Sequence, residues 1–124
     1  MNTAETGKTG ERLAARHLKR SGYRILAKNW RSYRHEIDLI ARERSTGTVV
    51  FVEVKTRTPG SFGRPADAVD RDKQRYLGLA AQSWLLQNGG IEQPARFDVI
   101  EVLLPDKTVN HIVNAFTLAR HGLV

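Results

Sequence analysis

The sequence contains no cysteine, which excludes disulfide bridges, thiolate metal sites and cysteine nucleophiles. It has no apolar run near the roughly 20 residues that a membrane-spanning helix needs, and residues 1–6 lack the apolar core of a signal peptide. The motifs GxxxxGK(S/T), GxGxxG, HExxH and GxSxG are also missing, so nucleotide cradles, zinc peptidase chemistry and serine hydrolase elbows have no local support. We expect a soluble cytoplasmic protein without membrane contact.

The length and charge of the chain suggest one small domain with a polyanionic partner. With 124 residues, 40% of them hydrophobic, the chain is expected to fold as a single domain over residues 1–124. Lys and Arg number 20 against 13 Asp and Glu, which gives a net charge of +7. Such a basic domain favours nucleic acid as its partner. The alternative, an ordinary basic surface, is compatible with the same charge.

The apolar periodicity predicts seven elements in the order α-β-β-β-α-β-β. Period-3.6 patterns predict two helices, over residues 9–22 and 66–88, with Asp67 or Asp70 capping the second. Alternating or apolar runs predict five strands, over residues 23–31, 36–41, 49–57, 94–104 and 109–113. Residues 56–65 contain two Pro and two Gly and are predicted to be an irregular loop that follows the active strand.

The second and third strands are predicted to form a hairpin whose register places acidic residues together. A turn centred on residues 45 and 46 gives facing residues a constant index sum of 91. That register puts Asp38 opposite Glu53 and Glu36 opposite Lys55. These four side chains would share one face of the sheet, and the other face would hold Ile37, Leu39, Val52 and Val54.

Two carboxylates that face each other across a strand pair repel, because their Cβ atoms lie only about 5 Å apart. A divalent cation bound between Asp38 and Glu53 would convert the repulsion into coordination, and Mg²⁺ (or Mn²⁺) suits one or two carboxylates completed by water and phosphate. Lys55 would neutralise charge on that phosphate. The alternative is a half-exposed strand pair in which Glu36 and Lys55 form an ion pair worth less than about 1 kcal/mol.

Four basic residues around the hairpin are candidates for binding nucleic-acid phosphates. Arg34 lies in a basic, aromatic turn before the hairpin, and Arg57 and Arg64 bracket a loop that carries no acid. Lys73 lies in the first turns of the second helix, from which it could reach the hairpin. The loop is equally compatible with a simple connection between elements.

Residues 36–41 and 51–57 resemble the two signature blocks of the bacterial YraN-type family of endonuclease-like proteins. The resemblance covers nearly the whole chain, and it extends to Gly7, Gly10, Glu11, Lys73 and residues 29–31, 62–63, 96–99 and 114–116. One departure is His35, which stands where the family usually has Gly. His35 is also a candidate metal ligand or general base, supported only by its position beside Glu36.

The YraN-type family is itself similar to the restriction-endonuclease-like superfamily, PD-(D/E)xK, which includes the archaeal Holliday junction resolvases. The resemblance implies an α/β fold with a mixed β-sheet flanked by helices. It also implies a metal held by Asp38 and Glu53, Lys55 as the catalytic lysine, and Glu11 as a further acid on the first helix. Glu11 has a local explanation too, since a carboxylate is favourable at a helix start. Homodimerisation is expected by the resemblance.

Three hypotheses follow for the function. The first is a Mg²⁺-dependent nuclease that acts on DNA of branched or otherwise structured form. The second is a nucleic-acid-binding protein that retains the nuclease scaffold without catalysis. The third, a structural partner protein that binds no nucleic acid, accounts for the fewest of these features.

Overall fold

A computed structural model describes residues 2–59 and 70–117 of the chain. It contains two helices and five strands in the predicted order: α1 (Thr3–Arg20), β1 (Tyr23–Ser32), β2 (His35–Glu43), β3 (Val49–Arg57), α2 (Arg71–Gln87), β4 (Ala95–Leu103) and β5 (Thr108–Phe116). The predicted order α-β-β-β-α-β-β is therefore confirmed. Arg64, most of the predicted loop and the predicted start of the second helix at residues 66–69 lie outside the described residues.

The five strands form one mixed sheet in the order β1-β2-β3-β4-β5. β3 and β4 are parallel, and every other neighbouring pair is antiparallel. α2 lies in the crossover that a parallel pair requires. Neither helix in the described part of the chain is long and apolar enough to cross a membrane.

The two faces of the sheet carry separate apolar cores, each covered by one helix. On one face, α1 contributes Ala14, Ala15 and Leu18, which pack against Leu39, Ala41, Val50, Val52, Ile100 and Val102. On the other face, α2 contributes Leu77, Ala80, Ala81, Trp84 and Leu85, which pack against Ile37, Ile40, Val49, Phe51 and Phe97. The predicted mixed sheet flanked by helices is confirmed.

The ends of the helices are set by side-chain caps. α1 begins at Thr3, and the predicted start at Thr9 is wrong, because the side chain of Asn2 accepts a hydrogen bond from the backbone N–H of Glu5 at 2.9 Å. Of the two caps predicted for α2, the structure shows Asp70, whose side chain accepts from the N–H of Lys73 at 2.8 Å. Lys73 is therefore fixed in the first turn of α2.

A glycine brings α1 close to β3. Gly10 is buried, and a Cβ atom at this position would overlap the side chain of Thr56. Only a residue without a side chain allows this approach of helix to strand. The contact places the first half of α1 beside the last residues of β3, next to the predicted site.

Candidate active site

The β2–β3 hairpin has the predicted register, but its pairing ends earlier than expected. Pairs from Leu39–Val52 to Arg42–Val49 keep the index sum of 91. Beyond Leu39, the side-chain Oδ2 of Asp38 accepts a hydrogen bond from the backbone N–H of Val54 at 2.8 Å. A carboxylate thus occupies the place of a backbone partner, and Asp38 is held where the two strands separate.

This early separation contradicts two details of the predicted hairpin. Ile37 packs in the core under α2 whereas Leu39 packs under α1, so the two side chains do not share a face. Glu36 does not face Lys55 either, because it pairs with Arg31 of β1 at 3.1 Å. The alternative of a Glu36–Lys55 ion pair is therefore not what the structure forms.

Asp38 and Glu53 lie together in a partly dehydrated environment. Glu53 is only 6% exposed, and Asp38 is half-buried. Burial first, and the negative charge of Glu53 second, raise the pKa of Asp38 to about 8, although the N–H of Val54 acts in the opposite direction. Glu11 adds a smaller effect of the same sign as Glu53. The carboxyl group of Asp38 therefore holds its proton to a higher pH than an exposed carboxyl group does.

Two lysines contact the buried carboxylate of Glu53. The ammonium group of Lys55 lies 3.4 Å from Oε2 of Glu53, and that of Lys73 lies 3.2 Å from the same atom. Lys55 comes from the same strand, whereas Lys73 reaches across from α2. The role of Lys73 as a phosphate ligand stays a prediction, but the structure places it in direct contact with the acid pair.

Lys55 contacts Glu53 but does not belong to the lining that the described residues give the adjoining pocket. Asp38, Glu53 and Lys73 do line this pocket, which has a volume of about 830 Å³ and lies between the two helices and the end of the hairpin. Its lining includes the predicted site residues Glu11, Arg34, Asp38, Glu53 and Lys73. In the pocket wall, Glu11 accepts a hydrogen bond from the side-chain amide of Asn29 at 3.0 Å. Four separate elements of the chain thus supply one charged cavity.

The structure does not bring every predicted residue to this pocket. Arg57 is largely buried and lies 3.9 Å from Glu101 on β4, so its charge has a structural partner. Its predicted phosphate contact remains untested, as does that of Arg64, which falls outside the described residues. Within residues 2–59 and 70–117, no three His, Asp or Glu side chains form a group able to hold a metal ion. A metal on Asp38 and Glu53 would need water or phosphate as its other ligands.

Two features of the pocket were missed from the sequence. One is the N–H of Val54, which orients Asp38 and carries no sequence signal. The other is Tyr76 on α2, whose ring stacks on His35 with centroids 4.5 Å apart and planes 11° apart. Lys73 and Tyr76 are three residues apart and thus share a helix face, so the placement of Lys73 near the hairpin could have predicted Tyr76 as well.

Comparison with known proteins gives one consistent family. The family model described as "Uncharacterised protein family UPF0102" matches residues 10–102. A UPF0102 protein of Pelobacter propionicus is 47% identical over 117 residues, which cover 92% of this chain and 84% of the relative. A UPF0102 protein of Caldanaerobacter subterraneus is 45% identical over 121 residues, 94% of this chain and 98% of the relative.

A third relative carries the same family name. A UPF0102 protein of Rhodococcus jostii is 43% identical over 113 residues, which cover 89% of this chain and 94% of the relative. The matches span the hairpin, both helices and β4, so the resemblance to the YraN-type family is confirmed at the level of the family. The chain belongs to the UPF0102 (YraN-like) family.

Proposed function

We propose that the protein is a Mg²⁺-dependent (or Mn²⁺-dependent) nuclease of the restriction-endonuclease-like kind that hydrolyses phosphodiester bonds in branched or otherwise structured DNA. The observation that carries the proposal is the pair formed by Asp38 and Glu53, which lie together in an open pocket with Lys55 and Lys73 on Glu53. Perturbed acids in a cleft are typical of catalytic sites.

The donor groups of the pocket fit a hard divalent cation. Asp38 and Glu53 supply carboxylate oxygens, the ligands that Mg²⁺ prefers. The raised pKa of Asp38 marks a place where additional positive charge would be favourable. When bound, the ion would polarise the phosphate and lower the pKa of a bound water. The N–H of Val54 would hold the Asp38 carboxylate in a fixed orientation.

The other side chains in and beside the pocket have defined roles in this proposal. Lys55 and Lys73 place ammonium groups beside the acid pair, where they would stabilise negative charge that develops on the phosphate. Arg34 at the pocket wall would bind a neighbouring phosphate. Glu11 would accept a hydrogen bond from a water molecule in the cavity. The net charge of +7 would attract the DNA backbone.

A second candidate function is DNA binding without catalysis. One observation favours it, namely that both lysines contact the carboxylate of Glu53 and compensate its charge. In that case Lys55 and Lys73 would act as the counter-charges of a buried acid, and the basic rim would bind the backbone.

A cleavage assay separates the two functions. A supercoiled plasmid and a four-way DNA junction are incubated with the protein in Mg²⁺, Mn²⁺ or EDTA. We expect cleavage that requires the metal and falls by at least about 100-fold in Glu53→Gln and Asp38→Asn. Glu92→Gln, an exposed acid in the loop before β4, is the matched control and should cleave normally. DNA binding with no cleavage under any metal condition would establish the second function instead.

A further inference from the structure

We propose that the turn between β1 and β2, together with the start of α2, forms a stacking platform that binds an unpaired DNA base beside the pocket. The turn presents Tyr33 to solvent, with its residue 99% exposed. Tyrosines in folded proteins usually bury most of their ring, so a fully exposed one has no packing role of its own. Tyr33 also has a φ of +56°, a strained backbone conformation for a bulky residue.

The position of this turn is fixed by an aromatic contact with α2. His35 stacks face to face on Tyr76, and Tyr76 is itself 40% exposed. The guanidinium of Arg75 lies 6.0 Å from the centre of the Tyr76 ring, within reach of a cation–π interaction. His35 and Tyr76 thus form an aromatic stack in the wall of the pocket. Arg75 lies beside this stack, and Tyr33 is two residues from His35 along the chain.

The turn lies next to the pocket that holds the acid pair. Arg34, which follows Tyr33 directly, lines the same pocket as Asp38 and Glu53. Two residues of chain span at most about 7 Å, so Tyr33 lies within that reach of His35 in the pocket wall. A DNA strand whose phosphate contacts Arg34 could therefore place its neighbouring base on Tyr33.

Aromatic faces interleaved with arginines are the chemistry that binds single-stranded nucleic acid, because each base offers a π-face and each phosphate a charge. A base inside a duplex is stacked on its neighbours and offers no free face. The platform therefore selects a base that is unpaired, as at a gap, a flap or the crossing point of a junction. This inference rests on the proposed function for the position of the reacting phosphate, but the binding of the base does not require cleavage.

The test measures binding in EDTA, where no metal-dependent cleavage takes place. One DNA duplex carries a single unpaired 2-aminopurine, and a second duplex of the same sequence has the 2-aminopurine paired. Fluorescence anisotropy gives the affinity, and quenching of 2-aminopurine reports stacking directly. We expect the protein to bind the unpaired duplex at least about fivefold more tightly than the paired one, with quenching of the unpaired base alone.

Three variants assign this preference to the platform. Tyr33→Ala should lose the preference and the quenching while it keeps its affinity for the paired duplex, and Tyr33→Phe should retain both. Since Tyr33 is exposed, neither change threatens the fold. Leu86→Ala is the control, because Leu86 is 62% exposed on the same helix as Tyr76 but about 15 Å further along it. Tyr76→Leu should weaken the preference by displacing the turn.

Equal affinity for the two duplexes, or a preference that survives in Tyr33→Ala, would overturn the platform. The platform would also be overturned if Tyr33 were found to bind another protein and not unpaired DNA. The result is separate from that of the cleavage assay. Selective quenching without cleavage would leave the platform standing and refute the nuclease, whereas cleavage without any preference for unpaired bases would do the reverse.

Discussion

Two acidic sites in this protein have similar surroundings but opposite electrostatics. Asp38 lies beside another acid, Glu53, and burial raises its pKa to about 8. Asp98 on β4 is 1% exposed, and burial alone would raise its pKa as well. Hydrogen bonds from His111 and Arg96 outweigh that effect and hold the pKa of Asp98 below its ordinary value. The same residue type therefore titrates in opposite directions at the two sites.

The partners of the two acids explain the difference. The carboxylate of Asp98 is bonded to Nε2 of His111 at 2.7 Å, Nε of Arg96 at 3.0 Å and the backbone N–H of Asn114 at 2.9 Å. Asp38 accepts a hydrogen bond from the N–H of Val54 and faces an acid. A buried charge whose partners are complete stabilises a structure, whereas one that faces a like charge is typical of a functional site.

The network around Asp98 extends across the whole sheet. Arg96 also donates hydrogen bonds to Glu43 at 3.0 Å and to the hydroxyl of Tyr23 at 2.8 Å. His111 is in turn bonded to His17 of α1 at 3.1 Å. The network thus joins both edge strands, two inner strands and a helix. The partners of Asp98 are therefore of a structural kind.

The largest expected effect on stability concerns Asp98, the acid whose charge is compensated. Asp98→Asn removes the charge that compensates Arg96, and the buried guanidinium would be left with one fewer anionic partner. We expect the free energy of unfolding at pH 7 to fall by about 3 kcal/mol, as for other broken buried ion pairs. Urea unfolding followed by circular dichroism measures the change. A loss below about 1 kcal/mol would show that the network contributes little.

The second prediction concerns α1, which reaches both sites. Gly10 directly precedes Glu11 in the helix. Gly10→Ala would force α1 away from Thr56 and should lower the free energy of unfolding by about 2 kcal/mol. Gly7→Ala is the matched control in the same helix. A Cβ there would meet nothing within 4 Å, so this change should stabilise the protein by about 0.5–1 kcal/mol. Equal effects of the two substitutions would contradict the close contact at Gly10.

The smallest expected effect is the pH dependence that Asp38 gives to the free energy of unfolding. Because the pKa of Asp38 is raised from 3.8 to about 8, the folded state binds more protons than the unfolded state between these values. The contribution of Asp38 to stability is therefore complete below about pH 4 and is lost as the pH rises towards 8. Asp38→Asn should not lose stability in this way, because an amide does not titrate. The side-chain amide of the variant can also donate a hydrogen bond to Glu53. We expect the variant to exceed the wild type in unfolding free energy by about 1 kcal/mol at pH 8.

Urea unfolding in EDTA at several pH values between 5 and 8 provides this measurement. The difference between Asp38→Asn and the wild type should grow steadily with pH. A constant difference would mean that Asp38 does not titrate in this range. If Mg²⁺ replaces EDTA, the wild type should gain stability at pH 8 and the variant should not.

Much of the fold could be predicted from local patterns. The index sum of 91 followed from the turn at residues 45 and 46, since a turn fixes the register of an antiparallel pair. The predicted start of α1 was wrong although a signal existed, because Asn2 followed three residues later by Glu5 is the pattern of a capped helix start. The end of pairing at Asp38 had no such signal, since it depends on where two strands separate.

The burial of Arg57 shows what local patterns do not contain. From the sequence, Arg57 begins a basic loop and is a candidate for phosphate binding. In the structure, β4 lies parallel to β3 and brings Glu101 to within 3.9 Å of it. The partner comes from a strand far along the chain, so no window of sequence around Arg57 predicts the ion pair.

The sequence by itself determined the elements, their order, the register of the central hairpin and the placement of an acid pair and a lysine near its end. These depend on alternation and on turns, which act between neighbouring residues. Only the tertiary structure decided which buried acids are compensated. Lys73 reaches Glu53 from α2, and His111 reaches Asp98 from β5. Charge compensation in a low-dielectric interior depends on distance in space, and residues remote in sequence supply it.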